Sequence, residues 1–278
     1  MNNDLLIDNE TKISYFNPFR RVLKNKIIKI KFFKYLFPKT RLNNFGDLLG
    51  PIIVKAFLNK SNISLKPKFM PNKFLTVGSI LHYASEGDYI WGSGINGKKI
   101  NEKYSLNNLN IFLVRGPMTR NFLVNLGLNC PELYGDPAIL FSDLFPEYQN
   151  PKRGESKVLF IPNYNEEIKN LNSKTYKIIS PLEPLSDIIQ AITSSGFVIS
   201  SSLHAVIIAE SYGIGARFLE VKNESSFKYI DYLQGTGRFE YTPAESIEKA
   251  IELGPQPKPI IDKNKILDSF PKFLYSDN

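Results

Sequence analysis

Phe197-Val-Ile-Ser-Ser-Ser-Leu-His204-Ala-Val-Ile-Ile-Ala-Glu-Ser-Tyr-Gly213 reads as a buried strand over Phe197–Ser200, a triple-serine turn, and a helix over Leu203–Tyr212 that opens with histidine. A glycine just past the last apolar residue is a helix stop signal. A strand that passes into a helix through such a turn is the building unit of an α/β sheet. The turn directs free backbone N–H groups and serine hydroxyls at whatever lies above it, which makes an anion site. One of only two histidines in the chain stands at its rim. Plainer readings remain open here: Ser200, Ser201 and Ser202 as helix caps, and His204 as a satisfied, half-buried side chain.

The same alternation extends outward in both directions. Downstream of a Pro-, Gly- and charge-rich break at Pro146–Ser156, strands are predicted at Lys157–Ile161, Tyr176–Ile179 and Ala216–Glu220, and a helix at Leu185–Ser195. Upstream, strands are predicted at Ile30–Leu36, Phe74–Val77, Tyr89–Trp91 and Ile111–Val114. Helices are predicted at Leu48–Leu58, with Pro51 in its first turn, and at Pro117–Leu126, closed by Gly127. Such alternation implies parallel sheets covered on both faces. The expected fold is α/β, with two Rossmann-like domains, residues 30–150 and residues 151–278 with C-terminal helices, facing each other across a cleft. Residues 1–29 are expected as a basic N-terminal extension. There Arg20, Arg21, Lys24, Lys26 and Lys29 interleave with Phe16, Phe19, Val22, Leu23 and Ile27. That pattern suits an amphipathic helix, packed on the body or lying on a membrane surface.

Composition narrows the function classes. The chain has 278 residues, 42% hydrophobic and 22% charged, as in ordinary globular proteins. A net charge of +8 points to nucleic acid, anionic lipid or small acidic substrates. The basic residues are dispersed and match no nucleic-acid module, so no nucleic acid partner is expected. A single cysteine, Cys130, allows no internal disulfide and fits a reducing cytoplasm. No apolar run approaches the roughly 18 to 20 residues that span a bilayer, and the first residues lack a signal-peptide pattern. No clustered ligand motif suggests a metal site.

In parallel sheets ligands sit beyond the carboxyl ends of the strands, so the strand-to-helix turns are the places to search. Asn43-Asn44-Phe45-Gly46-Asp47 is one, with Asp47 as helix cap or ligand contact and Gly46 as a candidate for positive φ. Trp91-Gly92-Ser93-Gly94-Ile-Asn-Gly97 is a glycine-rich loop that lets a ligand approach the backbone, but no helix pattern follows it and NAD is rejected. Val114-Arg115-Gly116-Pro117 sets an arginine at a helix start, ready for a carboxylate or phosphate, or else tied to an acidic neighbour such as Asp136. The serine turn is the fourth. His82, inside Ile80-Leu-His-Tyr83, reads as structural.

Together these turns resemble the polysaccharide pyruvyl transferase family, in its bacterial exopolysaccharide ketal pyruvyltransferase-like branch. The matching pieces run in family order: Asn44-Phe-Gly-Asp47, Gly87-Asp-Tyr-Ile-Trp-Gly-Ser-Gly94, Val114-Arg-Gly-Pro-Met-Thr119, Gly135-Asp-Pro137, Ser200-Ser-Ser-Leu-His204 and Phe227-Lys-Tyr-Ile-Asp-Tyr232. The resemblance implies a glycosyltransferase-B-like arrangement. It implies transfer of pyruvate from phosphoenolpyruvate to two hydroxyls of a sugar, in a cell-surface polysaccharide or its lipid-linked precursor, closing a ketal. By this resemblance His204 and Arg115 are catalytic, as acid/base and as donor-binding residue. Asn44, Asp47, Ser93, Gly94, Asp136, Ser200, Ser201, Ser202 and Lys228 contact substrate. Phosphoenolpyruvate is consumed as a substrate, so no cofactor is implied. A lipid-linked oligosaccharide acceptor places the enzyme in the cytoplasm at the inner face of the plasma membrane, with peripheral membrane contact. A nucleotide-sugar glycosyltransferase of the same fold and a non-catalytic glycan assembly protein are the alternatives.

The chain departs from the family pattern at one point. Many members read Ser-x-Arg-Leu-His-Gly at the histidine turn, and here Ser202 and Ala205 stand at the arginine and glycine positions. Another basic residue, Lys228, Lys222 or Arg217, is then required to replace the arginine.

Overall fold

The computed structural model describes residues 4–20, 22–23, 26–27, 39–69, 72–102, 104, 106–149, 154–166, 175–221 and 224–276. Among them the chain is an α/β protein built on two main sheets.

The first sheet opens with a hairpin, β1 (Leu5–Ile7) antiparallel to β2 (Ile13–Phe16). The Asp8 carboxylate accepts from the N–H groups of Glu10 and Thr11 and from the Thr11 hydroxyl, and Lys12 takes a φ of 61° to close the loop. Short strands follow: β3 (Phe19–Arg20), β4 (Val22–Leu23), β5 (Lys26–Ile27) and β6 (Thr40–Arg41), paired as β3 with β6 and β4 with β5. The expected N-terminal extension is therefore corrected on two counts. Residues 5–16 are part of the first sheet, because β-branched and aromatic side chains with a buried Ile13 favour a pleated surface. Of the basic stretch that follows, the described residues Phe19–Arg20, Val22–Leu23 and Lys26–Ile27 form strand pairs, not an amphipathic helix. The expected strand Ile30–Leu36 lies outside the described residues.

Helix α1 (Phe45–Lys60) begins three residues before the predicted start, with extended Asn44 at its N-cap. Pro51 consequently falls in the second turn, where it leaves the Asp47 carbonyl without an N–H partner. Strands β7 (Phe74–Leu75), β8 (Tyr89–Trp91) and β9 (Asn110–Leu113) complete the sheet in the order β1-β2-β7-β8-β9, with β2 through β9 parallel. Helix α2 (Pro117–Asn125) then leads to a parallel bridge between Val114 and Tyr134, and α3 (Phe141–Leu144) follows.

The second sheet contains β10 (Gly154–Ile161), β11 (Tyr176–Ile178), β12 (Ser195–Ser200) and β13 (Gly215–Phe218), with helices α4 (Leu185–Thr193) and α5 (Leu203–Ser211) between them. All strands are parallel, in the order β11-β10-β12-β13. This is a doubly wound order: the chain moves outward from β10 to β11, then returns past β10 to β12. The reversal lies between β10 and β12, and the crevice at their carboxyl ends is the place such sheets bind ligands. The first sheet has no such reversal, since its strands follow chain order.

Helix α5 is mostly apolar, with Leu203, Ala205, Val206, Ile207, Ile208 and Ala209 buried on several sides. A helix of that kind belongs inside a protein. Together with α1 it joins the two sheets into one apolar interior running from Ile13 to Tyr275. Each fully buried isoleucine there contributes about 1.5–3 kcal/mol.

Helices α6 (Phe227–Gly235), α7 (Ile247–Leu253) and α8 (Lys263–Asp268) end the chain. The segment from α8 onward, expected with the second unit, packs on the first sheet. Trp91 Nε1 donates to the Ile266 carbonyl and the Ser269 hydroxyl at 3.2 and 3.0 Å. The Phe270 ring lies 4.8, 5.0 and 5.9 Å from those of Phe57, Trp91 and Phe74. Tyr275 donates its hydroxyl to the Thr11 carbonyl at 2.6 Å. Burial of these large rings outweighs any preference of the tail for its sequence neighbours.

Candidate active site

A cleft of about 360 Å³ collects the carboxyl-end loops of both sheets. Its walls include Ser79–Tyr83 after β7, Asn96–Lys99 after β8, Asn163–Asn165 after β10, Ser202–His204 after β12, and Glu224 to Lys228 after β13. Asn44 and Asp47 join from the start of α1. The reversal between β10 and β12 thus opens into this cleft, as the topology requires.

The triple-serine turn is not a cradle of three hydroxyls. Ser200 is fully buried, donating to the Ile161 carbonyl and accepting from Ser202 N–H at 2.8 Å. Ser201 is fully buried too, donating to the Glu166 carboxylate and accepting from Asn163 N–H at 2.8 Å. These two hydroxyls stitch the β10 and β12 turns together. Ser202 reaches the cleft, and its side chain makes no capping hydrogen bond to α5. The Ser202 hydroxyl and the uncapped amino end of α5 are what the turn offers an anion.

His204 stands in the first turn of α5 with 12% of its side chain exposed. Its ring lies against Gly46 in α1, where a Cβ would fall 2.5 Å from Nδ1. Gly46 is a helical residue without positive φ, so its role is to make room for the imidazole. The other ring nitrogen, Nε2, faces Asp136 Oδ2 at 3.8 Å, and neither atom has a hydrogen-bond partner. The second Asp136 oxygen accepts from Ala138 N–H at 3.0 Å. Burial pushes the Asp136 carboxyl up to about 6. Burial, with the charges of Arg115 and Lys228, pushes His204 down to about 3. The imidazole is therefore uncharged at neutral pH. A hydrogen on Nε2 facing Asp136 leaves Nδ1 as the basic nitrogen. Asp136 is a positioning group for His204 in this geometry. Gly46→Ala is expected to push the ring aside and lower turnover roughly 10²-fold, with unfolding measurements showing a loss of only about 1–3 kcal/mol.

Arg115 is fully buried and does not line the cleft. Its Nε donates to Asp231 Oδ2 at 3.0 Å, Nη1 to the Ser79 hydroxyl at 2.7 Å, and Nη2 to the Ile95 carbonyl at 3.0 Å. Asp231 also accepts from the Thr119 N–H and hydroxyl at 3.0 and 2.7 Å, so it anchors the start of α2 from another helix. The acidic partner is thus Asp231, not Asp136. A Cβ on Gly94 would overlap the Arg115 guanidinium, so that glycine serves the arginine and not a ligand. Ser93 is buried and donates to the Gly78 carbonyl at 3.0 Å. Arg115, Ser93 and Gly94 together form a floor beneath the cleft. The arginine's charge still acts on His204 from there.

At the start of α1, beside His204, Asn44 Nδ2 donates to Asp47 Oδ2 at 2.8 Å. Burial pushes the Asp47 carboxyl up to about 6, against the pull of that bond and of Lys228. Lys228 lies 3.3 Å from Glu224, which also holds Lys98 at 2.8 Å. Burial lowers the Lys228 pKa. Lys228 and Asp231, three residues apart on one face of α6, serve the cleft and Arg115 respectively.

The family model of polysaccharide pyruvyl transferase matches residues 8–223, well over half of the chain. The chain belongs to the polysaccharide pyruvyl transferase family. At that level it is a transferase, and the family's description implies a polysaccharide acceptor. No curated protein matches it. Among solved structures, a functionally uncharacterized protein from Klebsiella pneumoniae is 15% identical with a TM-score of 0.47, over 72% of this chain and 87% of that one.

Of the candidates to replace the arginine of the pyruvyl transferase pattern, the two among the described residues differ in place. Arg217 donates to the carbonyls of Gly254, Thr242, Leu253 and Pro255 and is not part of the cleft lining. Lys222 lies outside the described residues. Lys228 lines the cleft, on a helix that begins just beyond the matched segment. Sequence reasoning passed over Asn163-Tyr164-Asn165, Asn96, Arg20 and Glu224, and took His82 as structural, yet all of them line the cleft. The rule that ligands sit beyond strand carboxyl ends, applied to the predicted Lys157–Ile161 strand, signals Asn163 to Asn165.

Proposed function

We propose that this protein transfers pyruvate from phosphoenolpyruvate to two hydroxyls of one sugar residue, forming a ketal and releasing phosphate. The observation that carries this reading is the cleft wall itself. There an uncharged histidine, a half-buried lysine and an uncapped helix end stand side by side. Phosphoenolpyruvate carries about three negative charges, so its site needs cations and N–H donors. Lys228, the Ser202 hydroxyl and the amino end of α5 supply them, with the Arg115 charge behind. The two sheets around the cleft are read as the lobes of a glycosyltransferase-B-like arrangement.

A protonated cleft carboxyl, Asp47, gives its proton to the donor's methylene carbon, which makes C2 electrophilic. His204 Nδ1 takes the proton of the attacking sugar hydroxyl, and a C2–O bond forms. The C2–O bond to phosphate breaks, a second sugar hydroxyl closes the ketal, and its proton leaves with the phosphate. The proton held on His204 then returns to Asp47, so over one turnover the diol's two protons end on the new methyl group and on phosphate. General acid–base help of this kind is worth about 10² to 10⁴ in rate. A lipid-linked acceptor at the inner membrane face belongs to the same reading. Among the described residues no helix is long and apolar enough to cross a membrane.

The raised carboxyl has a consequence for stability. Asp47 confers stability in full below its ordinary value near 4, and this is lost as pH rises through about 6. Asp47→Asn is expected to be more stable than wild type at pH 7, by on the order of 1–2 kcal/mol, and no more stable at pH 4. Urea unfolding at the two pH values checks it, and the same variant is expected to lose turnover.

A thermal-shift comparison tests the donor. Stabilisation by phosphoenolpyruvate, lost in Lys228→Met, is expected. Stabilisation by UDP or GDP without any effect of phosphoenolpyruvate counts against pyruvyl transfer and for a nucleotide-sugar enzyme.

A further inference from the structure

The first-sheet side of the cleft has a different chemistry from the wall that carries His204 and Lys228. Phe16, at the end of β2, stacks on Tyr83 with ring centroids 6.2 Å apart and planes 22° apart. His82 lies 4.0 Å from Tyr83, tilted by 40°. All three rings line the cleft, as do Asn96 and Asn163. Burial, with the charge of Lys99, keeps His82 uncharged at neutral pH. Aromatic rings and amides lining one cleft fit a ligand with an apolar C–H face and a rim of hydroxyls, which describes a pyranose.

We propose that Phe16, Tyr83 and His82 form the acceptor subsite, on which a single pyranose ring stacks and presents its hydroxyl pair to the donor. The inference rests on the donor reading given above. Size limits it to one ring. Ligand sites run from roughly 300 to 1,000 Å³, and this cleft, at about 360 Å³, is at the small end. Phosphoenolpyruvate and one sugar ring suit that volume, with the remainder of a glycan directed outward. Recognition is then of one sugar residue, not of an extended chain.

Saturation-transfer NMR with methyl glycosides of galactose, glucose and mannose as probes tests this, beside thermal shifts with phosphoenolpyruvate. Tyr83→Leu and Phe16→Leu keep apolar bulk but remove the ring, and circular dichroism checks that each folds. Each is expected to weaken glycoside binding about tenfold while keeping the phosphoenolpyruvate shift. Lys228→Met is expected to do the reverse. Undiminished glycoside binding in both ring variants overturns the subsite, as does an absence of glycoside contact in the wild type. An absence of any phosphoenolpyruvate shift in the wild type overturns the donor reading instead, whatever the glycosides do.

Discussion

His204→Ala is expected to lower turnover by about 10² to 10⁴ while leaving the protein folded. The imidazole is held from two sides, by Gly46 against the ring and by Asp136 opposite Nε2, so its position is fixed before substrate arrives. Burial and the charges of Arg115 and Lys228 keep it uncharged at neutral pH. The same burial opposes folding in acid. Because its pKa is lowered on folding, His204 leaves stability intact above its ordinary value near 6.5 and withdraws it as pH falls toward 3. His204→Ala is therefore expected to lose less stability than wild type between pH 7 and pH 4. Steady-state kinetics and denaturation at both pH values check the two halves of this expectation. A variant with near-wild-type turnover removes His204 from the mechanism.

Asp231→Ala is expected to cost about 3–5 kcal/mol of stability, the largest loss foreseen for any single substitution here. Asp231 and Arg115 are both fully buried, and removing the carboxylate leaves a guanidinium charge uncompensated inside the protein. It also removes the acceptor for Thr119 N–H at the start of α2. Gly116 shows how tightly the parts fit, since a Cβ there would overlap the Asp231 backbone. Chemical denaturation measures the loss. Activity should fall alongside, because the arginine's charge lies behind His204.

Much of this was legible from residue patterns. The run Phe197–Gly213 has a strand-length apolar segment, a polar turn and a helix-length apolar segment, and the structure gives β12, the turn and α5 within two residues of those bounds. The N-terminal region was misread because Ile13-Ser14-Tyr15-Phe16 is too short to show a period, and the basic residues after it suggested a helix face. Pairing with Leu5–Ile7 and, at long range, with Phe74–Leu75 makes it a strand. The roles within the site were harder to read. An arginine at a helix start looks the same in sequence whether it binds substrate or is neutralised by Asp231, more than a hundred residues away. Gly94 and Gly46 looked like flexible-backbone glycines, whereas each makes room for a side chain from a distant segment. Ser200 and Ser201 looked available because their partners, Ile161, Asn163 and Glu166, lie on the neighbouring β10 turn.

Pyruvyl transfer leaves one signature that no nucleotide-sugar reaction shares: a methyl group on a new quaternary ketal carbon. Proton NMR of the protein incubated with phosphoenolpyruvate and a panel of glycosides, including lipid-linked oligosaccharides, detects it directly. The expected result is a ketal methyl singlet that grows in step with inorganic phosphate and is absent with His204→Ala. Release of phosphate without that singlet, or its absence across the panel while UDP or GDP stabilises the protein, contradicts the assignment.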